Sequence, residues 1–197
     1  MLMRRSFVRS LALAGLTACA SSATLAGTLS FDGSTVDGPL WARPLAGSPP
    51  TVISPSLANK VSYQVTAFQV DKNDSFSLIA TSGAPTGWDS FTFLYRDAFD
   101  ASQPLSHVML GNDRLAGAAD TKSGFTNVSL QAGVNYFFVV SGYSNNQAGA
   151  YSVAITAPTG TAFLAAPVPE PASAAMLLAG AGLMGLLAAK RLRSRRH

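Results

Sequence analysis

The chain has 197 residues and a formal net charge of +4, and its surplus of cations sits at the two ends. Arg4, Arg5 and Arg9 lie near the start and Lys190, Arg191, Arg193, Arg195 and Arg196 near the end; between Gly27 and Pro169, nine Asp outnumber six Lys and Arg. Nucleic-acid binding needs a basic face on the folded part, and this mildly acidic middle excludes it. The length accommodates one medium domain plus targeting segments.

Residues 1–26 read as a signal peptide with a signal helix. The three arginines form a positive n-region, Leu11 to Ala18 a short apolar h-region, and small residues continue to Ala26. The apolar run is too short to cross a bilayer. Cleavage after Ala23 and cleavage after Ala26 both satisfy the small-residue rule. Arg4-Arg5 is also compatible with twin-arginine export, so the Sec and Tat routes both stay open. Leu16-Thr17-Ala18-Cys19 resembles a lipobox, and lipidation at Cys19 would give a lipid-anchored periplasmic protein instead. Cleavage after Ala23 or Ala26 removes the only cysteine of the chain, and with it disulfides and thiol chemistry.

From Gly27 to Pro158 no long stretch shows helical periodicity, and several stretches alternate with period two, the mark of half-buried strands. Residues 32–60 are richer in Gly, Pro and Ser, which predicts loops with an edge strand at most. Val61, Tyr63 and Val65 begin a strand whose phase slips near Ala67-Phe68, where a bulge is expected. Phe76, Leu78 and Ala80 share a face, as do Phe91, Phe93 and Tyr95, with Thr92 and Arg96 opposite. Val134 to Val140 is apolar on both faces, which predicts a central, covered strand. Tyr151, Val153 and Ile155 form a last inward face. Turn residues at Asp71-Lys72-Asn73-Asp74, Ser82-Gly83, Ala132-Gly133 and Ser144-Asn145-Asn146 separate these runs. The fold class is all-β: an antiparallel β-sandwich over 27–158, with a linker at 159–167.

Catalytic equipment is sparse. His107 is the only histidine before the tail, and Glu170 is the only glutamate. There is no nucleophile elbow around a serine, no zinc ligand set, no P-loop and no dinucleotide fingerprint. The domain reads as non-catalytic and without a cofactor. A small secreted hydrolase using two Asp carboxylates is the enzymatic alternative. Trp41, Trp88 and Tyr143 are candidates for stacking on sugar rings.

The tail has three ordered parts. Val168-Pro169-Glu170-Pro171 comes first, and its prolines keep the preceding chain extended. Ala172 to Ala189 follows, 18 residues with only Ser173 polar. As a helix this run spans about 27 Å, close to a bilayer core of about 30 Å. Gly180, Gly182 and Gly185 make it a marginal anchor. The cluster Lys190, Arg191, Arg193, Arg195, Arg196 should stay cytoplasmic, leaving the domain outside. These features, over about the last 30 residues, resemble the PEP-CTERM family of sorting tails. The resemblance implies transient anchoring in the inner membrane, cleavage near Pro169–Pro171 by an exosortase, and delivery to the surface or matrix of an exopolysaccharide-making Gram-negative bacterium. A permanent single-pass anchor is the alternative and has the same topology.

A second resemblance covers residues 60–157. Phe91-Thr92-Phe93-Leu94-Tyr95, Phe99-Asp100, Gly111-Asn112-Asp113 and Leu130-Gln131-Ala132-Gly133-Val134-Asn135-Tyr136 are similar to bacterial pre-peptidase C-terminal (PPC) domains. That family implies a jelly-roll-like sandwich with a non-catalytic, accessory role in surface or polymer binding. Some members bind calcium through clustered carboxylates, which points to Asp89, Asp97, Asp100, Asn112 and Asp113, with Asp120 as a further candidate. Arg114 departs from the family pattern, because a cation there repels Ca²⁺ and removes an oxygen ligand.

Overall fold

The computed structural model describes residues 27–55, 60–115 and 121–165. The expected signal peptide with Cys19 and its cleavage residues Ala23 and Ala26, the sorting motif, the expected transmembrane helix and the basic cluster lie outside the described residues. Among the described residues no helix is long and apolar enough to cross a membrane.

Among the described residues there are ten strands: β1 (Thr28–Ser34), β2 (Leu40–Trp41), β3 (Val61–Val70), β4 (Asp74–Ser82), β5 (Ser90–Arg96), β6 (Val108–Asn112), β7 (Lys122–Leu130), β8 (Tyr136–Gly142), β9 (Ala150–Thr156) and β10 (Ala162–Leu164). They form two antiparallel sheets. One has the order β1-β9-β4-β7; the other has β10-β3-β8-β5-β6, with β2 added on β3. From β3 onward the chain changes sheet at every step except the β5–β6 hairpin. Strands of both sheets therefore bring apolar residues to a shared interior, the arrangement of a sandwich-like fold.

Between the sheets, Phe76, Leu78 and Ala80 of β4 and Val153 and Ile155 of β9 pack with Phe68, Leu94 and Phe138 of the facing sheet. The alternation read in β4 and β9 is this inward face. The larger sheet is buried on its other side as well. There Trp41, Val61, Phe91, Phe93, Tyr95 and Val139 form a second cluster, capped by Phe99. β8 runs between β3 and β5, with Phe138 and Val140 facing one cluster and Val139 the other. That explains why its sequence is apolar on both faces. The Phe91-Phe93-Tyr95 face belongs to the outer cluster, and Leu94 points to the interior.

The phase slip in β3 is not a bulge. Its pairing with β8 runs unbroken from Tyr63–Ser141 to Phe68–Tyr136. Val61, Tyr63 and Val65 face the outer cluster, and Phe68 and Val70, on the opposite face, enter the interior. One regular strand thus serves two cores in succession. Bulges occur elsewhere: β7 carries an extra residue opposite Phe76–Leu78, with Asn127 at φ 57°, and β6 one opposite Leu94–Tyr95.

The stretch 32–60 holds the edge strand expected beside its loops: β1 lies at the edge of its sheet and pairs with β9 from Thr28–Thr156 to Ser34–Ala150. One boundary differs from expectation. The linker expected over 159–167 contains β10, which pairs Ala162, Phe163 and Leu164 with Val70, Gln69 and Phe68. The free edge of β3 offers unpaired backbone groups there, and a strand satisfies them.

Candidate functional site

Residues 43–54 fold over the outer face of the larger sheet. The Ser54 amide donates to the Arg43 carbonyl at 3.0 Å and the Leu45 amide to the Val52 carbonyl at 2.8 Å. Gly47 and Gly111 exchange amide–carbonyl bonds of 2.9 Å, which ties this segment to β6. The segment carries Arg43 inward, where the residue is only 3% exposed.

The guanidinium has several compensating contacts. Nη1 donates to the Pro44 carbonyl at 2.9 Å and Nη2 to the Tyr143 carbonyl at 2.8 Å. Its central carbon lies 4.1 Å from the Phe91 ring centroid and 5.5 Å from that of Tyr143, within cation–π range. Burial pulls its pKa below the usual arginine range, and the charges of Asp113 and, less strongly, Asp89 oppose that shift. Around it Phe91, Asp113, Tyr143, Ser54 and Ser144 line a cavity of about 570 Å³, a volume in the range of small-ligand sites. Tyr143 is 46% exposed and presents its ring to solvent at the rim.

The aromatic candidates divide sharply. Trp41 is buried against Tyr63, Phe93 and Phe99, and its Nε1 donates to Ser141 Oγ at 3.0 Å. Trp88 is buried too, with Nε1 donating to the Ala150 carbonyl at 2.9 Å. Both belong to the packing, so neither offers a face for stacking. Tyr143 alone of the three does.

The candidate calcium ligands also separate. Asp89 and Asp113 act on the Arg43 cation. Asp97 lies 3.5 Å from Arg96 Nε in an exposed ion pair. Asp100 accepts from the Ser102 amide and hydroxyl at 2.8 and 2.7 Å, which stabilise the carboxylate and lower its pKa. Asn112 Nδ2 donates to the Gly124 carbonyl at 2.7 Å, joining β6 to β7. Among the described residues no group of three or more His, Cys, Asp or Glu is arranged to hold a metal ion; Asp120 lies outside them. His107 sits at a turn with φ 61°, its carbonyl accepting from the Arg96 amide at 3.0 Å.

Arg43 escaped sequence reasoning. A lone Arg beside Pro44 in a loop-rich stretch carries no periodic signal, and Phe91 and Tyr143 are 48 and 100 residues away in sequence.

The chain continues from this domain into its tail. Residues 167–194 match the PEP-CTERM protein-sorting motif. The match takes in Val168, Pro169, Glu170 and Pro171, the whole apolar run, and Lys190, Arg191 and Arg193. A PEP-CTERM tail implies export, exosortase as the processing partner, and a surface or extracellular destination. No curated protein matches the chain.

Proposed function

We propose that this chain is an exported, non-catalytic surface or matrix protein that is anchored transiently by its tail, cut by exosortase near Pro169–Pro171, and released as a PPC-like, jelly-roll-type sandwich associated with exopolysaccharide. The PEP-CTERM match at 167–194, directly after a folded all-β domain, carries this reading. The positive n-region and the terminal arginines support the matching orientation, domain outside and basic cluster inside.

The rim of the Arg43 cavity supports a binding role. An exposed tyrosine ring beside a carboxylate and two serines is chemistry suited to a polar ring such as a sugar. The hydrolase alternative draws less support, since Asp89 and Asp113 compensate a buried cation.

Intact mass and fractionation in the native host, with and without exosortase, test the sorting step. The expected mature form starts after Ala23 or Ala26, ends near Pro169–Pro171, and leaves the cell only when exosortase is present. An uncut tail in both strains sinks the reading in favour of a permanent anchor. Sensitivity of processing to globomycin would instead establish lipidation at Cys19. Tyr143→Ala should abolish retention on host exopolysaccharide; unchanged retention removes this cavity from the binding role.

A further inference from the structure

The chain remains part of the fold almost up to the sorting motif. Asp74 Oδ2 accepts from the Thr159 amide at 3.0 Å, the Thr159 hydroxyl at 2.9 Å and the Gly160 amide at 2.7 Å. Asp71 Oδ1 accepts from the Thr161 amide at 2.7 Å, and the Asp71 amide donates back to the Thr161 carbonyl at 3.0 Å. β10 then pairs with β3, burying Ala162, and the Ala165 amide donates to the Ala67 carbonyl at 3.0 Å. The chain is pinned through Ala165.

Four residue steps separate Ala165 from Pro169. Fully extended, they reach at most about 14 Å. Processing breaks a peptide bond near the motif: the acyl carbon passes to water or to an amine acceptor, and the tail departs with a new amino group. An enzyme that surrounds this bond needs space between it and the sandwich, and the pinned chain leaves little. With β10 detached back to Ala157, twelve steps reach roughly 40 Å.

The strand is built to detach at low cost. It has three residues at a sheet edge, and Phe163 and Leu164 are 43% and 51% exposed, leaving Ala162 as its one buried side chain. Short elements with few buried contacts open most readily.

We infer that β10 and the Asp71–Asp74 clamp form a latch that restricts the reach of the sorting motif, so that release of β10 sets the rate of processing. Asp74 is then a positioning residue for cleavage of the tail. The inference rests on the exosortase reading above.

Pulse–chase of the full-length chain in exosortase-bearing host cells tests it, with precursor and mature forms separated by mass. Ten Gly/Ser residues inserted between Ala165 and Ala166 leave the clamp and β10 intact while adding about 18 Å of root-mean-square reach. This variant should mature severalfold faster than the wild type, and so should Asp74→Ala. The two changes combined should be no faster than the insertion alone, because both act on reach. An insertion variant that matures at the wild-type rate or slower overturns the latch, whatever Asp74→Ala does to folding. Multiplying effects in the combined variant remove Asp74 from the latch. If the wild-type precursor is never cut despite exosortase, the processing reading fails and the latch with it; cutting at an unchanged rate defeats the latch alone.

Discussion

The Arg43 guanidinium lies 4.1 Å from the centroid of the Phe91 ring, a cation stacked on an aromatic residue at the outer end of β5. Arg43→Ala would uncover that ring and remove the cation on which the charges of Asp113 and Asp89 act. Breaking a buried charge constellation from one side costs about 3–5 kcal/mol; the lower end applies here because Asp113 and Asp89 are themselves only partly buried. Arg43→Met, which keeps the volume and the ring contact, should lose less. Urea denaturation of both variants checks the order.

Trp41 and Tyr143 should respond in opposite ways. Trp41→Ala removes a fully buried ring and its bond to Ser141 Oγ, a loss of about 3–5 kcal/mol. Tyr143→Ala removes a half-exposed side chain and should cost under about 1 kcal/mol. Thermal melts and polysaccharide retention measured on the same samples separate a core role from a binding role.

Gly124 sits on β7 at φ 148°, and a Cβ there would collide with the Leu78 carbonyl oxygen of β4. Both the backbone angle and the close approach demand glycine. Gly124→Ala should destabilise by roughly 3 kcal/mol or more and loosen the β4–β7 edge. Faster hydrogen exchange at Leu78 to Ala80 than at β8 is the expected signature.

Hydrogen bonds to Asp74, foremost from the Ser75 amide and the Thr159 hydroxyl, pull its pKa down to about 2 from 3.8. The folded state therefore prefers the ionised carboxylate. The stability this brings is complete above the unfolded value and is lost as pH falls through 3.8 toward about 2. Asp74→Asn should melt lower than the wild type at pH 7, with the gap closing toward pH 2. A gap that does not narrow on acidification would show that the carboxylate charge is not what holds the Thr159–Gly160 turn.

How much was legible depends on how local the signal is. Tyr151, Val153 and Ile155 announce their face because neighbours two apart on one strand share an environment. Val134 to Val140 announces a central strand because both sides are apolar. Val61 to Val70 misleads for the same reason: when the covered face changes from an outer cluster to the interior along one strand, alternation breaks without any bulge. β10 was hidden because Ala162, Phe163 and Leu164 pair with β3 through backbone groups that every sequence carries. Of the candidate site, Tyr143, Asp89 and Asp113 were named from sequence, whereas Arg43, which unites them, was not.

The linear order of residues by itself determined the all-β class and the PEP-CTERM tail, because each is a pattern of adjacent residues recognised without folding. The tertiary structure alone decided that Trp41 and Trp88 are core, that Asp89 and Asp113 answer a buried arginine, and that Thr159, Gly160 and Thr161 are held by Asp71 and Asp74. Those outcomes depend on contacts between residues far apart in the chain, where burial and charge compensation are set by which strands become neighbours.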